Sequence, residues 1–274
     1  MDHKKFTLLI IIFLLFPIMI SANSYIFEGI EWVSVFTETY TFNDGKYCKR
    51  TCDSEENWTE VQGNYTICEE NTYTIAKIKF ENHETKMFLF YSDDRHLIIY
   101  DCFSNKQITC TNSKYHIDEA YIWAIDECTS TSYLTEKIRG KKIAYIPANL
   151  ADNDITKKWV EGKPGNGEGE ILRIKNDLTK PKILYFINGY FSPYKTYLYY
   201  DNARIKNCLI RCYDENNNLL EEFDYEFKDT GNLQSITFKN KYTFFEVIIK
   251  SVYEGKKYQD TAISAILVDG LSGL

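Results

Sequence analysis

Short apolar stretches alternate with clusters of Asn, Asp, Gly and Ser along this chain. The stretches are brief and rich in Ile, Val, Thr, Tyr and Phe, which is the pattern of strands rather than helices. Strands are predicted over residues 33–41, 73–80, 87–91, 97–100, 143–146, 170–174, 183–187, 204–213, 235–238 and 244–252. A period of two is visible in Ile171-Leu172-Arg173-Ile174 and in Phe245-Glu246-Val247-Ile248-Ile249-Lys250. Such alternation buries one face of a sheet and wets the other. Asp44-Gly45 is a hairpin-turn signal. Only residues 118–126 suggest a short helix. The expected class is all-β: a small β domain followed by a β-sandwich.

The N-terminus reads as a targeting signal. Lys4 and Lys5 precede an apolar run over 6–20, interrupted only by Thr7 and Pro17, and Ile20-Ser21-Ala22 offers small residues for cleavage before Asn23. The run falls short of the roughly 20 apolar residues that span a bilayer. No second long apolar segment follows. Residues 1–22 are therefore expected to be a signal peptide. The mature chain is expected to be exported, periplasmic or extracellular, without a transmembrane segment. A change in polarity and charge near 140–155 divides it into a disulfide-containing β domain at 25–146 and a sandwich at 147–274.

Charge narrows the partners. From Asn149 onward there are 17 Lys and Arg against 18 Asp and Glu, and before it 15 against 21. Neither part forms the basic patch that releases counterions from nucleic acid, and anionic lipid is disfavoured for the same reason. Eight cysteines in an exported chain suggest disulfides. Six of them, Cys48, Cys52, Cys68, Cys102, Cys110 and Cys128, lie in the first half, and their pairing is open. Cys208 and Cys212 share one strand, about 13 Å apart at the usual rise, too far to bond each other. They pair with other strands or remain buried thiols.

The densest motif is Trp159-Val160-Glu161-Gly162 followed by Gly165-Asn166-Gly167-Glu168-Gly169-Glu170. After it come Asn188-Gly189-Tyr190, Asn202-Ala203-Arg204-Ile205-Lys206, Val252-Tyr253-Glu254-Gly255 and Tyr258-Gln259-Asp260-Thr261-Ala262-Ile263-Ser264. In this order the motifs resemble a discoidin-like (coagulation-factor type C) module, in the form found as the translocation, or glycan-binding, domain of bacterial NAD glycohydrolases. One departure is Thr261-Ala262, where a cysteine or similar residue is expected after the aspartate. The resemblance spans roughly 150–268. It implies a jelly-roll sandwich that binds carbohydrate through loops at one end. It does not imply NAD cleavage, which belongs to a separate catalytic domain. Residues 25–145 resemble no family.

Trp159, Glu161, Asn188, Tyr190, Asn202, Arg204, Lys206 and Asp260 are the candidate ligand-binding residues. An aromatic ring stacks on the C–H face of a sugar while polar groups hold its hydroxyls. Against this, Trp159 also suits a sandwich core, Arg204 and Lys206 suit a solvated strand face, and Asn188-Gly189 suits a hairpin turn. Glu161 and Asp260 could hold a structural Ca²⁺ with backbone carbonyls. No other cofactor and no catalytic residue is expected. Of the four histidines, His3, His83, His96 and His116, none follows residue 116. The second half therefore lacks a His to activate a nucleophile or ligate zinc. The expected function is glycan binding by a non-catalytic exported protein, its partner a glycan or glycosylated surface protein. The alternatives are a purely structural surface protein, or a hydrolase using His83, His96, Asp93, Asp94 and Asp101 in the first domain.

Overall fold

The computed structural model describes residues 25–34, 37–115, 122–177 and 180–269. The expected signal peptide, His3 and His116 lie outside them. The chain is almost entirely β. The expected helix over 118–126 is not seen where it is described: Ile122–Ala124 is a strand.

Eight antiparallel strands close into a barrel: β1 (Glu31–Ser34), β2 (Glu38–Asn43), β3 (Lys46–Cys52), β4 (Trp58–Glu70), β5 (Tyr73–Lys79), β6 (Glu84–Phe90), β7 (His96–Asp101) and β8 (Lys106–Asn112). β1 pairs with both β2 and β8, so the sheet has no free ends to aggregate through. Asp44 and Gly45 make the two-residue turn between β2 and β3, both with positive φ, as the Asp-Gly signal requires. The lumen is packed by Trp32, Tyr40, Phe42, Tyr47, Tyr65, Leu89, Leu97 and Ile99. The segment before β1 stoppers one end: Phe27 packs edge-on against Phe42 and Tyr91, and its carbonyl accepts the Trp32 indole N–H at 3.0 Å.

The remaining strands build a sandwich. They are β9 (Ile122–Ala124), β10 (Glu127–Ser130), β11 (Thr135–Ile138), β12 (Lys141–Ala144), β13 (Trp159–Val160), β14 (Ile171–Lys175), β15 (Ile183–Asn188), β16 (Arg204–Tyr213), β17 (Leu219–Glu226), β18 (Leu233–Thr237), β19 (Phe244–Tyr253) and β20 (Ala262–Asp269). One sheet runs β10-β14-β19-β16-β17. The other runs β13-β20-β15-β18, with β9 also on β20. β11 and β12 form a separate hairpin. Because β9 and β10 hydrogen-bond into the two sheets, the sandwich already includes residues 122–130, upstream of the expected junction at 146/147.

All eight cysteines are free thiols, contrary to the expected disulfides. Cys208 and Cys212 point into the sandwich core, where burial pushes both thiols up to about 12. The bonded framework that small exported domains use is replaced here by large packed cores.

The sheet containing β15 and β20 is covered on both faces. Leu184, Phe186, Ile263 and Ile266 face the sandwich core. Tyr185, Ile187, Ala265 and Leu267 face Tyr73, Ile75, Phe88, Phe90, Ile98 and Tyr100 on the outside of the barrel. Strands buried on both sides are apolar throughout rather than alternating, and this explains Ile183–Ile187, Ala262–Val268 and Met87–Phe90. Side chains also cross the junction, with Asn71 donating to Thr196 at 2.9 Å and Gly231 N–H to Thr72 at 2.7 Å. Gly231 is needed there: a Cβ would lie 2.4 Å from the Tyr73 ring.

Candidate functional site

At one end of the sandwich the β11–β12 hairpin, β13, the loop after β15 and the segment before β20 surround a cavity of 240 Å³. The hairpin supplies Glu136 and Ile138, flanked by Leu134 and Tyr145. Its Arg139 and Gly140 both take positive φ at a two-residue turn. Val160 forms the floor, and Tyr190, Lys195, Leu198, Asn202, Tyr258 and Asp260 close the circle.

Two tyrosines organise this space. The Tyr145 and Tyr190 rings meet at 60° with centroids 6.2 Å apart. The Tyr145 hydroxyl donates to Glu136 Oε1 at 2.6 Å, which orients both groups. The other face of Tyr190 lies 4.2 Å from Nζ of Lys158. Lys158 is buried, its ammonium donates to the Phe191 carbonyl at 3.0 Å, and loss of hydration pushes its pKa down to about 8. Burial raises the Asp260 carboxyl above its ordinary value, its own backbone N–H opposes that, and the Glu136 charge adds to it. Tyr258 is the accessible ring, 38 % exposed. The cavity thus offers aromatic faces, two carboxylates, one amide and one ammonium. Among the described residues its walls hold no His, Cys or Ser.

Three of the eight expected ligand-binding residues line this cavity: Tyr190, Asn202 and Asp260. The other five are committed elsewhere. Trp159 is fully buried, its indole N–H shared between Ser130 Oγ at 3.0 Å and the Ser132 carbonyl at 2.9 Å. Asn188 is not a hairpin turn. Its side chain bridges the two sheets, donating to the Ile205 carbonyl at 2.7 Å and accepting the Ile205 N–H at 3.1 Å. Arg204 is buried against Asp229 at 2.8 Å. Lys206 lies over the Tyr253 ring. Glu161 is buried beneath the glycine-rich loop, where Gly167 passes so close that a Cβ would sit 2.8 Å from its Cγ. One of its oxygens accepts the Lys163 N–H at 2.8 Å and the other is buried without a partner, so desolvation pushes the carboxyl up to about 7. Among the described residues no three His, Cys, Asp or Glu side chains gather as a metal site, Glu161 and Asp260 included.

The residues missed by sequence reasoning are chiefly those of the hairpin. They sit upstream of the expected boundary: Thr135–Ile138 is too charged to stand out, and the strand predicted over 143–146 carried no candidate ligand-binding residue. The available signal was Arg139-Gly140 between two short stretches. The hydrolase candidates in the barrel divide between its ends. His83 and Asp101 lie at one mouth, while His96, buried edge-on against Tyr185, lies with Asp93 and Asp94 at the other end of β7. Asp101 is occupied by Thr85 and its own turn, and Asp94 pairs with Lys114.

Residues 120–269 match the family described as the NAD glycohydrolase translocation F5/8 type C domain. The chain belongs to this family. The F5/8 type C domain runs from just before β9 to the end of β20, so it coincides with the sandwich and contains every wall of the cavity. No curated protein matches the chain. Among solved structures it is similar to CpGH89CBM32-5 from Clostridium perfringens, in complex with GalNAc-β-1,3-galactose, at TM-score 0.40 and 12% identity over 53% of this chain and 94% of that one. It is similar to the family 32 CBM of C. perfringens NanJ, in complex with galactose, at 0.38 and 13% over 54% and 98%. It is also similar to a Streptococcus pneumoniae fucose binding module at 0.33 and 14% over 54% and 92%. Among the described residues no helix is long and apolar enough to cross a membrane.

Proposed function

We propose that this is an exported, non-catalytic protein whose F5/8 type C domain binds carbohydrate, on a surface glycan or glycosylated surface protein, through the cavity between the β11–β12 hairpin and Asp260. The observation that carries the reading is the convergence of Tyr145, Tyr190 and Tyr258 with Glu136, Asn202 and Asp260 in one open space. A sugar presents an apolar C–H face and a ring of hydroxyls. Tyrosine faces suit the first, and carboxylate and amide groups suit the second. The volume of 240 Å³ lies below the usual range of drug-sized pockets, about 300–1,000 Å³, and fits a terminal sugar ring better than a long chain. Two acids against one lysine favour neutral sugars over sialic or uronic acids.

The test is a glycan array probed with the full mature chain, followed by titration of the best hit against Tyr258→Ala and Asp260→Asn. Each substitution is expected to weaken binding about tenfold, the worth of one good hydrogen bond or ring contact. A silent array, or a hit that both variants bind unchanged, overturns the proposal.

A further inference from the structure

The β11–β12 hairpin has a second side. Opposite partners in an antiparallel ladder lie on the same face of it. Glu136 and Ile138 line the cavity, so their partners Ile143 and Lys141 share that face, and Ile143 packs there against Tyr145, Val160 and Ala262. Thr135, Lys137, Lys142 and Ala144 are left on the outer face, with Lys137 directly opposite Lys142. Arg139 opens the turn between them, and Lys141 follows it. The segment Lys137-Ile138-Arg139-Gly140-Lys141-Lys142 thus carries four cations and no anion, in a chain whose net charge is −7.

The fold does not need these charges. All four side chains are exposed, and among the described residues none of them stands in an ion pair or a side-chain hydrogen bond. The acid of the hairpin, Glu136, faces the other way and is held by the Tyr145 hydroxyl. Like charges directly opposite each other weaken a strand pair. This pair has no further strand to support it, because β11 and β12 form a sheet of their own, rooted where the Leu134 N–H donates to the Val160 carbonyl at 2.8 Å. A two-residue turn with both φ positive favours Asn, Asp or Gly at its first place, and here that place holds Arg139, at φ 49°. Positive charge is kept at a cost in stability, which points outward to an anionic partner.

The inner face of the hairpin says what kind of partner. It is one wall of the cavity, whose own acids, Glu136 and Asp260, turn anionic rings away. A glycan seated there by a neutral end leaves past Ile138, which is 41% exposed, and next meets Arg139, Lys141 and the Lys137–Lys142 pair. We infer that the hairpin binds sulfate or carboxylate groups carried along the glycan beyond its neutral end. The inference rests on the carbohydrate reading for the class of partner, and on the hairpin alone for its charge. Two ammonium groups on one face of a two-stranded ribbon close on a single anion and are relieved of their mutual repulsion.

The experiment is titration calorimetry of the full mature chain with dextran, dextran sulfate and carboxymethyl-dextran of one length. Dextran sulfate is expected to bind about tenfold or more tightly than dextran, and to weaken as salt rises. The carboxymethyl arm tells a sulfate reader from a carboxylate reader. Lys137→Glu puts an anion opposite Lys142, a pairing that favours the hairpin. This variant is expected to melt no lower than the natural chain and to bind the charged dextrans about tenfold or more weakly. Asp260→Asn, on the cavity side, is expected to leave charged-dextran binding unchanged. Failure of both charged dextrans to bind, or binding indifferent to Lys137→Glu, overturns the inference. In the first case, capture by phosphatidylglycerol vesicles through Lys137 would make the hairpin a membrane contact instead. A silent glycan array beside charged-dextran binding that needs Lys137 sinks the terminal-sugar reading and leaves the anion site standing.

Discussion

The guanidinium of Arg204 spends all five of its N–H groups inside the protein. Nε and Nη2 reach Oδ1 of Asp229 at 3.1 and 3.0 Å, Nη2 reaches Oδ2 at 2.8 Å, and Nη1 donates to the carbonyls of Asn202 and Glu254 at 2.9 and 3.2 Å. The rings of Tyr199, Tyr200 and Tyr253 surround it. Arg204 therefore ties the strand it begins to the loops at its end and has no donor left for a ligand. Arg204→Ala is expected to destabilise the fold by roughly 3 kcal/mol, as loss of one partner from a buried pair does. Thermal melts measure this. Below its lowered melting temperature the variant is expected to bind sugar as the natural chain does, and a selective loss of binding would return Arg204 to the site.

Glu161 makes stability pH-dependent. Its folded pKa is raised to about 7, so the native state holds a proton that the unfolded chain has already lost above about 4.5. Stability from this group is full below the unfolded value and is lost as pH rises through 7. Glu161→Gln keeps the shape and removes the titration. Its advantage over the natural chain is expected to open between pH 4.5 and 7 and to reach about 3 kcal/mol. Urea denaturation at pH 4.5 and pH 8 reads the difference. A constant gap would show that the carboxyl does not titrate in this window.

Lys158 acts with the opposite sign. Its folded pKa is lowered to about 8, so the native state favours the neutral amine. Stability from that preference is present above the unfolded value, about 10.4, and is lost as pH falls through 8. Lys158→Met is therefore expected to gain on the natural chain as pH drops from 10 to 7, by about 3 kcal/mol at most. Paired denaturation curves at pH 7 and pH 10 check this, and comparing the two proteins cancels the tyrosines that titrate in the same range.

Several strands that are apolar or alternate cleanly were legible. Arg204–Tyr213 falls on its predicted span, and Tyr73–Lys79, Ile183–Asn188 and Phe244–Tyr253 lie within a residue or so. Most of the strands that escaped are polar, but the buried, apolar Ala262–Asp269 escaped as well. Leu219–Glu226 is an outer strand with mostly exposed residues, and Trp58–Glu70 is exposed over most of its length. The Gly, Asn, Tyr and Asp motifs did converge in space: Gly189 packs on Arg204, and the Ala203 N–H donates to the Asp260 carbonyl at 3.0 Å. They converge largely to hold the strands together. Residue type alone does not separate an Asn that bridges sheets, such as Asn188, from one that faces a cavity, such as Asn202. The free thiols were not legible either, because pairing depends on which strands become neighbours.

The sheet carrying Tyr185 and Leu267, clad on both sides, sets how this molecule can be divided. A fragment starting at residue 147 would uncover Tyr185, Ile187, Leu233 and Leu267 to water and would lose the edge strands Ile122–Ala124 and Glu127–Ser130. It would also leave behind Leu134, Glu136, Ile138 and Tyr145, one whole wall of the cavity. Barrel and F5/8 type C half are thus a single cut of cloth, and sticky aggregates, rather than a minimal module, await anyone who separates them there.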